Sequence, residues 1–309
     1  MIVYVLRRLL LVVPVLLGAT FFTFAIAQLA PGDPVQLMLG DYATPERIMA
    51  LRTQLGYDDP LWTRYGRYLL NVLHGDLGVS VHGQTSVMAD ILALAPKTLA
   101  LTAAALVLAV IIGVPAGLLA ATSRHRWLDG IIRVVSLVGL SIPGFWLGIT
   151  LILIFAVNLR WFAVTGDEGL KALILPALAL GLVEAATLAR LARTSALEVI
   201  SQDFVLVARA KGLSRRRVNW HHILRNALIP IITVLGLRAG ALLGGAVFIE
   251  AVFARPGIGR FAVNAITNRD LPQIQGVVLF VAVTYVLLNL GVDILYGLID
   301  PRIGQDALG

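Results

Sequence analysis

The chain has 309 residues, 58% of them hydrophobic and 14% charged, with a formal net charge of +7 and no cysteine. Soluble domains are about 45–50% apolar and about 25% charged, so this composition excludes an ordinary soluble domain and indicates lipid as the solvent. Without cysteine, disulfides and thiolate metal sites are excluded as well. The excess positive charge lies in short segments beside apolar runs, as membrane orientation requires, and no soluble basic domain supports nucleic-acid binding.

The first apolar run follows Arg7 and Arg8 and contains Ala25-Ile26-Ala27, which is similar to a signal-peptidase site. A cleavable signal has an apolar core of about 7–15 residues, and this run is longer. We therefore expect a retained first membrane helix, with a cleaved signal peptide as the alternative.

Six apolar runs are long enough to cross a bilayer as helices, because roughly 20 helical residues span about 30 Å of hydrocarbon. They lack the alternation of a membrane β-barrel, so we predict an all-α integral membrane protein with six transmembrane helices. The runs cover residues 9–29, 98–121, 134–157, 172–189, 227–249 and 276–298. Pro115 and Pro143, inside the second and third runs, permit kinks.

The basic residues between the runs predict that both termini are cytoplasmic. In that orientation a dense basic group between residues 190 and 225 lies inside, and the basic residues of the long first outer segment are balanced by acids. Arg255, Arg260 and Arg269 would then lie outside, which weakens the assignment slightly.

Residues 30–97 are too long for a plain connection between two membrane helices. They contain turn signals at Pro31-Gly32-Asp33-Pro34 and Gly75-Asp76-Leu77-Gly78, and the stretch Pro60–Leu73 has apolar and aromatic residues at helical spacing. We expect a small extracytoplasmic subdomain over the mouth of the pore.

The inner loop, residues 193–226, has the pattern of a helix, a glycine and a second helix. Asp203 can cap the first helix, and Phe204, Val207 and Ala208 fall on one face that Lys211 extends. Gly212 can take the left-handed conformation that ends a helix, and Ser214 can cap a second helix from Arg215 to about Arg225. Such an element suits insertion into a groove on a partner, although composition alone also fits a solvated basic loop.

The loop resembles the cytoplasmic signature of importer-type ABC transporter permeases of the dipeptide, oligopeptide and nickel branch. The match runs through Ala208-Arg209-Ala210-Lys211-Gly212-Leu213-Ser214 and then from His222 to Pro230. Against the broader permease signature, Leu206, Val207 and Arg225 depart, as they do in the peptide branch itself. The resemblance implies that an ATPase docks on this coupling loop, through Asp203, Phe204, Ala208, Arg209, Ala210, Lys211, Gly212, Leu213, Ser214, His222, Arg225 and Asn226.

Further pieces of the chain resemble the B-type subunit of that branch in the order expected. They are Pro31–Pro34, Gly75–Ser80, Ser141–Phe145, Gly244–Phe253, Pro256–Gly259 and Asp300–Arg302. Ser86 stands where the family usually has proline, a departure without functional weight.

The resemblance implies a type I ABC importer permease in a bacterial or archaeal cytoplasmic (inner) membrane. Its implied partners are a second, C-type permease subunit, two ABC ATPase subunits that bind ATP and Mg²⁺, and an extracytoplasmic peptide-binding protein. The implied cargo is di- or oligopeptides, with nickel chelates or glutathione-like peptides as alternatives. No phosphate-binding Gly-x-x-x-x-Gly-Lys-Ser/Thr loop surrounds any lysine of this chain, so we expect no cofactor and no catalysis here.

Ionisable groups within membrane spans are costly and indicate function. Glu184 and Arg238 should lie at comparable depth, so we expect them to pair or to face the translocation path, or each to reach water separately. Arg238 and Glu250 are about 18 Å apart along one helix and cannot pair. Glu184, Arg238, Pro143 and Glu250 are therefore the translocation-path candidates.

Gly236, Gly240 and Gly244 recur every four residues in the fifth run. Small residues at this spacing let helices approach closely, so we place this face at the seam with the partner permease or at packing within the chain.

Two other functional classes fit the sequence less well. An intramembrane enzyme is disfavoured because every histidine lies outside the apolar runs and no protease or hydrolase motif is present. An ion-coupled secondary transporter would also contain buried charges, but it would not need the large basic loop.

Overall fold

The computed structural model describes residues 2–29, 34–39, 44–54, 56–163 and 169–299. In these ranges the secondary structure is helical, apart from one isolated antiparallel bridge between Val79 and Ser86. The all-α prediction is confirmed. The motif residues Pro31–Asp33 and Asp300–Arg302 lie outside the described ranges.

Thirteen α-helices are described. In chain order they are α1 (Ile2–Leu29), α2 (Pro34–Leu39), α3 (Pro45–Gln54), α4 (Leu61–Leu73), α5 (Val87–Thr122), α6 (Arg126–Ser141), α7 (Gly144–Leu151), α8 (Gly169–Ile200), α9 (Asp203–Ala210), α10 (Arg215–Arg217), α11 (Arg225–Val252), α12 (Ile258–Thr267) and α13 (Leu271–Ile299). Two π-helical segments, Ile152–Asn158 and Val218–Leu224, follow α7 and precede α11.

In the described part of the chain, four helical stretches are long and apolar enough to span a membrane: Val87–Thr122, Gly169–Ile200, Arg215–Val252 and Leu271–Val292. A fifth span results if the pair formed by Arg126–Ser141 and Gly144–Asn158 counts as one broken span, and Leu10–Ile26 is a shorter apolar helix. The structure thus supports four or five spans, and the count of six remains a prediction.

The predicted break at Pro143 is present, and the helices on its two sides are bent by 101°. Ile142 is extended (φ −85°, ψ 122°), as a residue before proline prefers, and Pro143 supplies the fixed φ that starts α7. Pro115 lies inside the continuous helix α5. Helix α5 starts at Val87, well before the predicted start at residue 98, and continues through Pro96 and Lys97.

The chain divides into two compact units, Met1–Pro96 with Arg260–Leu290, and Lys97–Gly259 with Gly291–Gly309. In the first unit, the amphipathic stretch predicted between residues 60 and 73 forms α4 and packs on α1. The ring of Tyr65 meets Phe21 edge-on at 5.4 Å, and its hydroxyl donates to the carbonyl of Leu17 (3.2 Å).

The first unit also contains a buried carboxylate that joins distant segments. Asp270, 1% exposed, accepts hydrogen bonds from the Ser80 hydroxyl (2.6 Å) and the Val81 amide (3.0 Å). Its other oxygen accepts from the Gln273 amide (3.2 Å) in the first turn of α13. Asp270 thereby ties the loop before α5 to the start of α13.

In the second unit, α8 is the central helix and packs against α6, α7 and α11. Its contact with α5 depends on glycine: a Cβ at Gly113 would lie 2.5 Å from the Ala185 carbonyl oxygen, and one at Gly117 would overlap Ala189. Gly181 makes the reciprocal approach to Ala105. These small residues allow close helix packing in lipid, where apolar burial gives no driving force between helices.

Candidate functional site

The segment predicted to couple to an ATPase forms a short helix, a glycine turn and a capped second helix. Gly212 has φ +77°, the left-handed conformation expected of it, and Leu213 N–H bonds back to the Ala208 carbonyl (3.3 Å). Ser214 caps α10 by accepting from the Arg217 amide (3.4 Å), as predicted. Asp203 is the first residue of α9 and makes no side-chain cap, so that part of the prediction was wrong.

The residues predicted to share one face of α9 do not share one environment. Val205 and Ala208 are buried, whereas Phe204 and Val207 are exposed. Val205 and Ala208 belong to a core cluster with Leu118 of α5, Ala196 and Val199 of α8, and Val218, Ile223 and Ala227. Helix α9 is therefore fixed to the ends of α5 and α8 by one face.

The opposite face of α9 is exposed and both apolar and basic. Phe204, Leu206 (68% exposed) and Val207 point away from the core, and Arg209 and Lys211 follow them on the surface. Ala210 and Gly212 are also exposed. We define these residues as the coupling surface.

The second predicted helix of the loop begins at Arg215 and leads into the fifth apolar run, as expected, within one helical stretch Arg215–Val252 that contains a π-helical segment. Helix α10 ends at Arg217, a π-helical turn follows, and α11 begins at Arg225. His222 lies in the π-helical turn, and its carbonyl accepts from the Asn226 side-chain amide (2.6 Å).

A charge pair that sequence reasoning missed lies close to this loop. Arg193 of α8 donates from Nε to Oδ1 of Asp129 (2.6 Å) and from Nη2 to Oδ2 (2.9 Å), across α6 and α8. Arg133 adds a longer contact to Asp129 (3.5 Å). The i, i+4 spacing of Asp129 and Arg133 was readable in the sequence, but nothing local pointed to Arg193.

Glu184 and Arg238 lie beside each other, as expected. Glu184 Oε1 is 3.6 Å from Arg238 Nη1, and the two side chains are 12% and 41% exposed. The contact is ionic but too long for a hydrogen bond. Gly144, which follows Pro143, approaches the residue before Glu184, since a Cβ on Gly144 would contact Val183 (4.0 Å).

Glu250 occupies a different environment from this pair. Its side chain is fully buried; Oε1 accepts from the Thr98 hydroxyl (2.6 Å) and Oε2 from the Gly259 amide (2.8 Å). Thr98 in turn accepts from the Ile258 amide (2.8 Å). A Cβ on Gly257 would overlap the carboxylate, which explains why glycine stands there. Glu250 thus holds the turn after α11, and its function in the path remains a prediction.

The three glycines of α11 do not share one environment. Gly236 packs against Val292 within the chain, where a Cβ would clash, and Gly240 is buried. Gly244 is exposed, with nothing within 4 Å of its Cβ position. Packing within the chain thus accounts for Gly236, and only Gly244 is open to a partner helix.

In the described part of the chain, no group of three or more His, Asp or Glu side chains is arranged to hold a metal ion.

Two family models match the sequence. Residues 113–305 match the binding-protein-dependent transport system inner membrane component, and residues 1–102 match the N-terminal part of such membrane components. Together they cover most of the chain, including the coupling surface and the Glu184–Arg238 pair.

Similar proteins extend over the full length. The dipeptide transport system permease protein DppB of Alkalihalophilus pseudofirmus is 41% identical, with 98% of this chain and 99% of the relative covered. The glutathione transport system permease protein GsiC of Escherichia coli is also 41% identical, with 97% and 98% covered.

A chain of the MetNI methionine ABC transporter, solved in inward-facing conformations, has the same fold. The match has a TM-score of 0.58 at 19% identity and covers 69% of this chain and 97% of that chain. The predicted resemblance to ABC importer permeases is confirmed: this chain belongs to the family of binding-protein-dependent transport system inner membrane components.

Proposed function

We propose that this chain forms, with a second permease subunit of the C type, the translocation path of an ATP-driven peptide importer. A binding protein delivers the peptide outside, and two separate ATPase subunits bind ATP and Mg²⁺ inside. The observation that carries the proposal is the coupling surface, where one face of α9 is buried in the core of this chain and the other is exposed.

The chemistry of the coupling surface supports docking of a protein. Phe204, Leu206 and Val207 are apolar side chains exposed next to Arg209 and Lys211. A short helix with apolar anchors fits a groove on a partner, and the basic residues favour a groove with an acidic rim. These side chains leave much of their apolar surface exposed, and a partner protein would cover it.

The way α9 is anchored supports force transmission. Val205 and Ala208 pack with Leu118 at the end of α5 and Val199 at the end of α8. A displacement of α9 by closing ATPases would therefore move the ends of two long helices together. Rigid-body rocking of such a bundle switches access from outside to inside, and ATP hydrolysis resets it.

The translocation path, in this proposal, passes the broken span at Pro143 and the Glu184–Arg238 pair. Charged groups at membrane depth line cavities or pair with each other. Glu184 and Arg238 pair at a distance of 3.6 Å, which is longer than a hydrogen bond. The hydrogen bonds of Glu250 favour a structural function for that residue instead. The proposal includes six spans and both termini in the cytoplasm.

Dipeptides or short oligopeptides are the proposed cargo, because DppB relatives match nearly the whole chain. Glutathione-like peptides are the second candidate, favoured by the equally similar GsiC. Nickel chelates carried by the same machinery, and ion-coupled secondary transport, are less favoured alternatives.

Reconstitution tests the proposal. The tagged chain should co-purify with a second permease and two ATPase subunits, and proteoliposomes of that complex should accumulate a dipeptide only with binding protein and hydrolysable ATP. Uptake driven by an ion gradient without ATP would contradict it. Uptake of glutathione but not of dipeptides would favour the second cargo.

A further inference from the structure

A cavity of about 180 Å³ lies at the broken span, between α7, α8 and α11. Gly144 and Phe145 line it from α7, Glu184 from α8, and Gly245 and Phe248 from α11. Of the described residues in its lining, Glu184 carries the sole charge. Glu184 lies near the midpoint of α8 (Gly169–Ile200), so the cavity lies along this span and not at its ends.

The carboxylate of Glu184 has an unused acceptor. Its Oε2 is buried and has no hydrogen-bond donor among the described residues. Oε1 has only the 3.6 Å contact with Arg238, which exceeds hydrogen-bond length. Buried acceptors are normally satisfied, and a carboxylate can accept several bonds. The cavity lining therefore leaves Glu184 Oε2 without a hydrogen-bond donor, and a bound ligand could supply one.

The rings in the cavity wall favour a cationic donor. Phe145 and Phe248 both line the cavity, and in the isolated chain they are 47% and 64% exposed. The face of an aromatic ring attracts a cation at close range, and an ammonium group would meet the rings and the carboxylate together. A carboxylate ligand would be repelled by Glu184, and a neutral hydroxyl would gain only the hydrogen bond.

We propose that this cavity binds the terminal ammonium group of the transported peptide, with Glu184 as its acceptor and Phe145 and Phe248 as its walls. The inference rests on the proposed function as a peptide path. The cavity is smaller than the roughly 300 Å³ at which pockets for whole drug-sized molecules begin, so it accepts one end of a peptide. A site that recognises only the terminal group does not contact the peptide's side chains, which suits a path that transports peptides of many sequences.

The first experiment measures uptake of radiolabelled Ala-Phe by the full complex with its binding protein in proteoliposomes. We expect Glu184→Gln to lower uptake at subsaturating dipeptide by about tenfold or more, since it removes one member of a charged contact. Glu184→Asp should retain more uptake than Glu184→Gln. Glu198→Gln is the matched control, because Glu198 is an exposed glutamate on the same helix, and it should stay within about twofold of the wild type.

The second experiment locates the ligand directly. The complex without binding protein is irradiated with the photoreactive dipeptide p-benzoylphenylalanyl-alanine, whose benzophenone lies on the residue with the free ammonium group. Adducts should map to residues 144–148 or 241–248, should weaken in Glu184→Gln, and should be competed by Ala-Phe but not by N-acetyl-Ala-Phe.

Equal uptake in Glu184→Gln and Glu198→Gln, adducts elsewhere in the chain, or equal competition by the acetylated dipeptide would each overturn the inference while leaving peptide import intact. If the wild-type complex does not take up Ala-Phe with ATP, the proposed function itself fails and the inference with it. Assembly of each variant with its partners, checked by size-exclusion chromatography, separates loss of binding from loss of folding.

Discussion

Asp129 and Arg193 form a two-point charge pair across α6 and α8, with both guanidinium–carboxylate distances below 3.0 Å. Each side chain is about a quarter exposed or less, so the pair is screened less than a surface pair. Arg193 lies on α8, the long helix that precedes α9 and its coupling surface in the chain. The pair therefore joins α8 to α6 near this surface.

Removing one partner of this pair should destabilise the protein. We expect Arg193→Gln to cost about 1–3 kcal/mol, because a partly buried carboxylate then lacks its two donors. Arg193→Lys should recover only part of the lost stability, since lysine restores the positive charge but cannot make the two-point contact. Thermal unfolding of the purified subunit complex in detergent measures the effect.

Arg133→Gln is the matched control for that experiment. Arg133 reaches the same carboxylate at 3.5 Å but is 58% exposed, and exposed pairs contribute about 0–1 kcal/mol. Equal destabilisation by Arg193→Gln and Arg133→Gln would show that the two-point contact contributes no more to stability than the longer contact.

These residues also show what sequence reasoning can reach. Gly212 and Ser214 were predicted correctly because their conformations depend on neighbours in the chain, a left-handed turn and a cap. The contact of Asp129 with Arg193 joins residues 64 positions apart, and only the packing of α6 on α8 creates it.

The errors have equally specific causes. Helical periodicity gives a set of possible faces for α9, and only the position of Leu118 and Val199 decides that Val205 is buried and Phe204 is not. Counting apolar residues placed the start of the second span at Thr98, whereas helix α5 begins at Val87. The family resemblance predicted a coupling loop, but the cavity beside Glu184 depends on the bend after α6 and was not predictable.

Gly212→Val should weaken coupling. A β-branched residue at φ +77° is strained by about 1–3 kcal/mol, so the end of α9 would change conformation and displace Arg209 and Lys211. We expect reduced stimulation of ATP hydrolysis by the loaded binding protein and less peptide taken up per ATP.

Gly66→Val is the control for Gly212→Val. Neither glycine has an atom within 4 Å of its Cβ position, but Gly66 lies inside α4 with ordinary helical geometry. Its substitution should leave coupling unchanged. Normal coupling in Gly212→Val would contradict the assignment of this turn to ATPase contact.

The hydrogen bonds that join Glu250 to the turn after α11 should depend on the Thr98 hydroxyl. Thr98→Val removes one donor to Glu250 and the acceptor for the buried Ile258 amide, which should cost about 1–3 kcal/mol. We expect a lower unfolding temperature in the detergent-solubilised complex. Thr150→Val is the control, since the Thr150 hydroxyl bonds only to the Trp146 carbonyl of its own helix at an exposed position. If these hydrogen bonds do not stabilise the complex, Thr98→Val and Thr150→Val will have equal unfolding temperatures.

The predicted orientation can be tested with single cysteines, because the natural chain contains none and needs no prior substitutions. Lys211→Cys is placed on the exposed coupling surface, and Trp62→Cys at a position of α4 that is 71% exposed. In intact cells a membrane-impermeant maleimide should label Trp62→Cys and not Lys211→Cys. In inside-out vesicles the pattern should reverse. Labelling of Lys211→Cys from outside would invert the topology and remove the basis for docking an ATPase there, since nucleotide is supplied on the cytoplasmic side.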